Sequence, residues 1–230
     1  MLDVAIRTLD GSTAIDLGSR AAPPLPVLPA LHELLPHGLR RGSTLSVSGS
    51  VSLLLALLGA ASADGAWCAL VGLPPISAEA AAEYGIELSR LAIVPRPGSA
   101  WTTVVGALLD AVEVVAVRPV GRTPALGEVN RLAARARSHD AVLMPFLTGD
   151  TSWPGADVRL EAHDRHWAGI GSGRGRLRER QLDVTAQGRG RAARPRRTEL
   201  WLPVAGGGVA APAARATLTS LPPAATARAS

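Results

Sequence analysis

The stretch Gly42 to Ala61, GSTLSVSGSVSLLLALLGAA, constrains this chain most: a short strand-like run, a turn on Gly49, and an apolar run too continuous to face water. It predicts a strand over Ser43–Ser48 and a helix from Ser50 to about Ser62. The helix is apolar on nearly every side, at Val51, Leu53, Leu54, Leu55, Leu57 and Leu58, which marks it as buried. A strand feeding a helix through a glycine turn is where a phosphate-binding protein carries its P-loop, G-x-x-x-x-G-K-[ST]. There, backbone N–H groups and a lysine grip phosphates while a hydroxyl holds magnesium. Here the turn is only Ser48-Gly49-Ser50-Val51-Ser52, which lacks the second glycine and the lysine. It is about four residues too short to wrap a triphosphate. All 24 Lys+Arg residues are arginine, so a P-loop lysine is excluded at every position of this sequence.

Two more strand ends agree. Ala111 to Val117 reads as a buried strand of the kind that ends in a magnesium-holding aspartate, yet it runs into Arg118-Pro119. A cation there repels magnesium, although it favours a bare phosphate. Cys68 to Pro75 is a third strand end, with no acid where a water-activating carboxylate would sit. Ser48, Gly49, Ser50, Val51 and Ser52 are therefore a degenerate phosphate turn and Arg118 a degenerate magnesium position. No cofactor, no catalytic residue and no ATP binding are expected. An active ATPase would need Arg40, Arg41 or Arg118 to replace the lysine.

Further strands are expected at Trp67–Gly72, Leu91–Val94, Val112–Val117 and Ala141–Leu147. Helices alternate with them from Ser77 to a stop at Gly85, over Trp101–Leu109 and over Leu126–Arg137. Near-continuous apolar strands alternating with helices imply an α/β fold, a mostly parallel sheet covered by helices on both faces. After Asp150 the pattern changes. Val158–Ala162 and Arg165–Ile170 read as antiparallel strands around a turn at His163-Asp164, and Leu177–Thr185 as a third strand. Glu199–Pro203 closes the sheet as a C-terminal antiparallel extension. Residues 1–27 form an N-terminal segment and proline-rich approach, 28–204 the core with its Arg-rich β extension, and 205–230 a disordered tail.

Charge is uneven. Residues 1–150 hold 11 Arg against 13 acids, and residues 151–230 hold 13 Arg against 6. The C-terminal third, at +7, suits nucleic acid or an acidic protein surface. Arg174, Arg176, Arg178 and Arg180 alternate, so a strand projects them to one face, either as an anionic-partner surface or as a solvated edge. Arg189, Arg191, Arg194, Arg196 and Arg197 attract phosphate without aromatic interleaving for base stacking, or form a solvated loop.

The remaining motifs are weak. His163 and His166 flank an arginine and make no persuasive metal site, so no metal is expected. Cys68 is the single cysteine, a small core residue that excludes an internal disulfide. Trp67 and Trp101 are expected in the core; Trp153 and Trp167 either pack in core or turn, or anchor a partner. The N-terminus lacks a signal-peptide pattern and the longest apolar run, Leu53–Leu58, is too short to cross a bilayer, so a cytoplasmic protein is expected and no membrane partner.

The run Leu31-His-Glu-Leu-Leu-Pro-His-Gly-Leu-Arg-Arg-Gly-Ser43 and the strand, turn and helix after it resemble the entry to the RecA recombinase core, with residues 28 to about 202 resembling that core in reduced form. Together with Trp67-Cys-Ala-Leu-Val-Gly-Leu-Pro74 and Gly173-Arg-Gly-Arg-Leu-Arg-Glu-Arg180, they resemble the actinobacterial RecA-like accessory proteins of mutagenic translesion synthesis, the ImuA-type (ImuA′) family. The resemblance implies a non-catalytic adaptor of the SOS-induced mutasome. It implies as partners an ImuB-type adaptor protein, through it an error-prone replicative-type polymerase, and RecA itself. The alternative from another class is a direct DNA-binding protein that uses the Arg-rich C-terminal third.

Overall fold

A computed structural model describes residues 22–119, 123–149, 151–171, 174–189, 193–204 and 208–211, and the side chains within them except those of 164–178. Among these residues eight strands form one sheet: β1 (Leu45–Ser48), β2 (Cys68–Val71), β3 (Leu91–Val94), β4 (Val114–Val117), β5 (Val142–Leu147), β6 (Val158–Gly171), β7 (Arg174–Gly188) and β8 (Arg196–Trp201). Among the described residues four α-helices connect them: α1 (Val51–Ala63), α2 (Ala78–Glu83), α3 (Trp101–Leu109) and α4 (Leu126–Ser138). The order is β3-β2-β4-β5-β1-β6-β7-β8, with β3 to β6 all parallel and β7 antiparallel to both its neighbours.

Period-two burial on both faces explains why the first half is a parallel sheet. Cys68 and Leu70, Val114 and Ala116, and Val142, Met144 and Phe146 point into one core with α1. Ala69 and Val71, Val115 and Val117, and Leu143 point into a second core with α3 and α4. Among the described side chains only the first core continues under β6–β8, through Leu160, Leu182, Val184 and Leu200. One buried and one wet face suit an antiparallel extension.

Side chains set the helix starts. Ser50 is extended (φ −150°) and its Oγ accepts from the Leu53 N–H at 3.2 Å. Ser77 does the same for Ala80 at 3.1 Å, the capping expected of serine before a helix. Ahead of α4, the Ala125 N–H donates to Glu128 at 2.8 Å. Asp110, at the end of α3, is clamped by Arg135 and lies 3.2 Å from His139 Nε2. The Arg135 hydrogen bond holds the Asp110 carboxyl below its ordinary range.

The α/β sheet with its antiparallel extension agrees with the sequence reading, and four details differ. First, no turn occurs at His163-Asp164, because β6 runs straight through. Asp164 pairs with Leu182 and His166 with Gln181, so Arg165 is an extra residue and the polar break is a β-bulge. The chain reverses after Gly171, and β7 starts at Arg174. Second, Trp67 is 47% exposed rather than core, since it precedes β2 instead of lying within the strand. Third, β8 starts at Arg196, three residues before the expected Glu199. Fourth, the core extends past both expected limits. Leu25 and Val27 are buried, and Ala210 exchanges two backbone hydrogen bonds with Trp201, at 2.9 and 3.1 Å. Residues 212–230 lie outside the described residues. Trp101 and Trp153 are both buried and meet edge to face at 6.4 Å. Among the described residues no helix is long and apolar enough to cross a membrane.

Candidate functional site

The turn after β1 is filled by the protein itself. Gly49 adopts φ +84°, and a Cβ there would stand 1.9 Å from the Ala162 carbonyl oxygen of β6. Ser48 Oγ donates to the Leu160 carbonyl at 3.4 Å, and Ser50 Oγ caps α1. The turn thus lies flat against β6, and Ser48 and Ser50 serve backbone groups of this chain. Val51 and Ser52, in the first turn of α1, are half-buried.

Arg118 follows β4 and is exposed; its N–H donates to the Val71 carbonyl at 2.9 Å. β5 stands between β4 and β1, which sets Arg118 about 10 Å across the sheet from the turn. The end of β2 carries no acid either, as Leu73 and Pro74 line an apolar cavity of about 410 Å³.

The arginines separate into two regions. Ser48, the last residue of β1, pairs with Glu161, and β6 continues to Gly171 beside Arg174. At about 3.3 Å per residue this carries the hairpin tip roughly 33 Å past β1. Arg174, Arg176 and Arg178 belong to that tip, and Trp167 pairs with Arg180 on its flank. The side chains of Trp167, Arg174, Arg176 and Arg178, like the whole of Arg191, lie outside the described residues. Arg180 leaves the surface set. It shares strand parity with the buried Leu182 and Val184, and its Nε and Nη2 are closed off from solvent. Its charge acts on the Tyr84 phenol, whose pKa burial raises and Arg180 partly restores.

The second region lies at the opposite edge of the sheet, where Val158 pairs with Gly188. Here Arg189, Arg194 and Arg196 line a groove of about 760 Å³ together with Arg40 and Arg41. Arg197 points elsewhere, to Asp183 at 2.6 Å, and that ion pair holds its guanidinium firmly charged. Sequence reasoning missed that Arg40 and Arg41 join the C-terminal arginines. Their only signal was adjacency to β1, whose first residues pair with the start of β6.

A family model, the MT3502 N-terminal domain, matches residues 33–155, more than half of the chain. The chain belongs to that family. The MT3502 N-terminal domain takes in β1 to β5, the turn at Gly49, Arg40, Arg41 and Arg118, and ends before β6. The chain is also 36% identical over 133 residues to an uncharacterized Mycobacterium tuberculosis protein, Rv3395c. That match covers 56% of this chain and 64% of the relative, less than two thirds of its length.

Proposed function

We propose that this chain is a non-catalytic RecA-type adaptor of the ImuA type, which bridges an ImuB-type protein to an error-prone polymerase in SOS-induced translesion synthesis. The observation that carries the non-catalytic part is the closure of the Gly49 turn on Ala162, in a chain without lysine. A phosphate loop leaves its backbone N–H groups pointing at the ligand. Here Ser50 takes the Leu53 N–H, and β6 occupies the space beside Gly49. The adaptor part rests on the sequence resemblance and on the groove that Arg40, Arg41, Arg189, Arg194 and Arg196 line. The finer family assignment, ImuA-type within the MT3502 N-terminal domain family, belongs to this proposal.

Calorimetric titration tests it: ATP with magnesium first, then the purified ImuB-type protein. No heat with nucleotide and a clear isotherm with the adaptor is the expected result. Saturable nucleotide heat would overturn the non-catalytic reading, and a silent adaptor titration the bridging one.

The +7 charge of the C-terminal third favours one second reading, direct binding to the DNA backbone. Such binding weakens steeply as salt rises, because neutralised phosphates release counterions. A salt series on duplex and single-stranded DNA separates this reading from a protein interface.

A further inference from the structure

We infer that the groove at the amino-terminal edge of β1 and β6 is a receptor for an acidic, partly apolar peptide segment of a partner protein. This deepens the adaptor reading, on which the choice of a protein partner rests.

The groove joins parts of the chain far apart in sequence: the segment before β1, and the end of β7 with the approach to β8. Five guanidiniums line it, from Arg40, Arg41, Arg189, Arg194 and Arg196, against the carboxylates of Asp140 and Asp157. Asp157 is already engaged. Its Oδ2 accepts the Thr44 N–H at 2.9 Å and its Oδ1 lies 3.3 Å from Arg40 Nη2. Its carbonyl accepts the Arg189 N–H at 3.0 Å. One residue therefore sets the positions of Arg40 and of the chain at Arg189. Arg41 is steadied separately, by its Nε–H to the Pro23 carbonyl at 3.0 Å. Arginines held this way lose less freedom on binding a carboxylate than free ones do.

The shape and lining select among anions. Pro36 and Val158 add apolar surface between the arginines, and among the described residues the groove holds no Phe, Tyr or Trp, its one aromatic ring being the His37 imidazole. Single-stranded nucleic acid is held by a groove that tracks the backbone and by rings that stack bases. A bounded concavity of about 760 Å³, apolar within and rimmed by arginines, instead matches a few residues of acidic peptide.

The test is fluorescence anisotropy on the full chain, without the ImuB-type protein. The probe is a labelled peptide of alternating aspartate and leucine; a lysine-leucine peptide and labelled oligothymidylate are comparators. The aspartate peptide should bind, with affinity falling about tenfold or more in Arg189→Glu/Arg194→Glu. Both residues are exposed, so the fold should tolerate the change, and an unchanged melting curve checks this. The milder Arg194→Ser should weaken binding in the same direction. Arg174→Ala/Arg176→Ala at the hairpin tip should leave it unchanged. Equal binding of the lysine peptide, insensitivity to the groove variants, or tighter binding of oligothymidylate lost in those variants would overturn the inference. Any of these would leave the adaptor reading to its own calorimetric test, so the two failures are distinguishable.

Discussion

Gly49 and Ala162 approach so closely that the space for a Cβ on the first is taken by the carbonyl oxygen of the second, 1.9 Å away. Backbone on backbone cannot yield as a side-chain tip does, and φ +84° adds strain for any L-residue. Gly49→Ala is therefore expected to destabilise the protein by about 2–4 kcal/mol, combining left-handed backbone strain with overpacking. Urea unfolding measures it. A loss below about 0.5 kcal/mol would show that the turn lifts freely from β6, the behaviour of an ordinary surface position.

Ser50→Ala removes the oxygen that accepts the Leu53 N–H at the buried start of α1. About 1 kcal/mol should be lost, since the donor is left without its cap. Ser77→Ala, at an exposed cap of the six-residue α2, should cost less. Equal losses at the two sites would mean that burial of the α1 start adds nothing.

The tryptophans should divide by burial. Trp153→Ala opens a cavity against Trp101, and about 3–5 kcal/mol of stability goes with it. Trp67→Ala, at a half-exposed site before β2, should cost well under half of that. Chemical denaturation of the two variants side by side decides it.

Burial raises the Cys68 thiol from 9.0 to about 12, with the Glu113 carboxylate adding to the shift. The folded state thus holds its proton where the unfolded chain has released it. The stability this contributes is complete below 9.0 and is lost as pH rises from there toward 12. Cys68→Ala should flatten that alkaline part of the stability curve. In the native protein at pH 8 the thiol should react with a disulfide reagent only as fast as the chain opens.

Local rules made most of the core readable. β3 and α3 have the bounds expected from their runs, because Leu91–Val94 and Trp101–Leu109 are flanked by residues that stop each element. The helix after Gly49 was legible for the same reason, and so was the missing lysine. What escaped depends on pairing between distant residues. A polar pair such as His163-Asp164 signals a turn and a bulge alike, and only its register with Asp183 and Leu182, followed by that of His166 with Gln181, tells them apart. The parity of Arg180 with Leu182 was in the sequence, but the four arginines read more strongly as a surface. That Arg40 shares a groove with Arg196 follows from strand order, which no local pattern encodes.

The long β6–β7 pair sets two stability regimes within one chain. Past Glu161 strand β6 has lost β1, and before Arg180, which still bonds to Leu202 and Pro203, β7 has lost its other neighbour, so the outer rungs each hang on a single partner. Two-stranded ribbons are marginal alone. Amide protons there should exchange by unzipping from the tip while those of β4 and β5 wait for global unfolding. A partner that grips the tip would thus register first as slowed exchange in the ribbon, with little change in melting temperature.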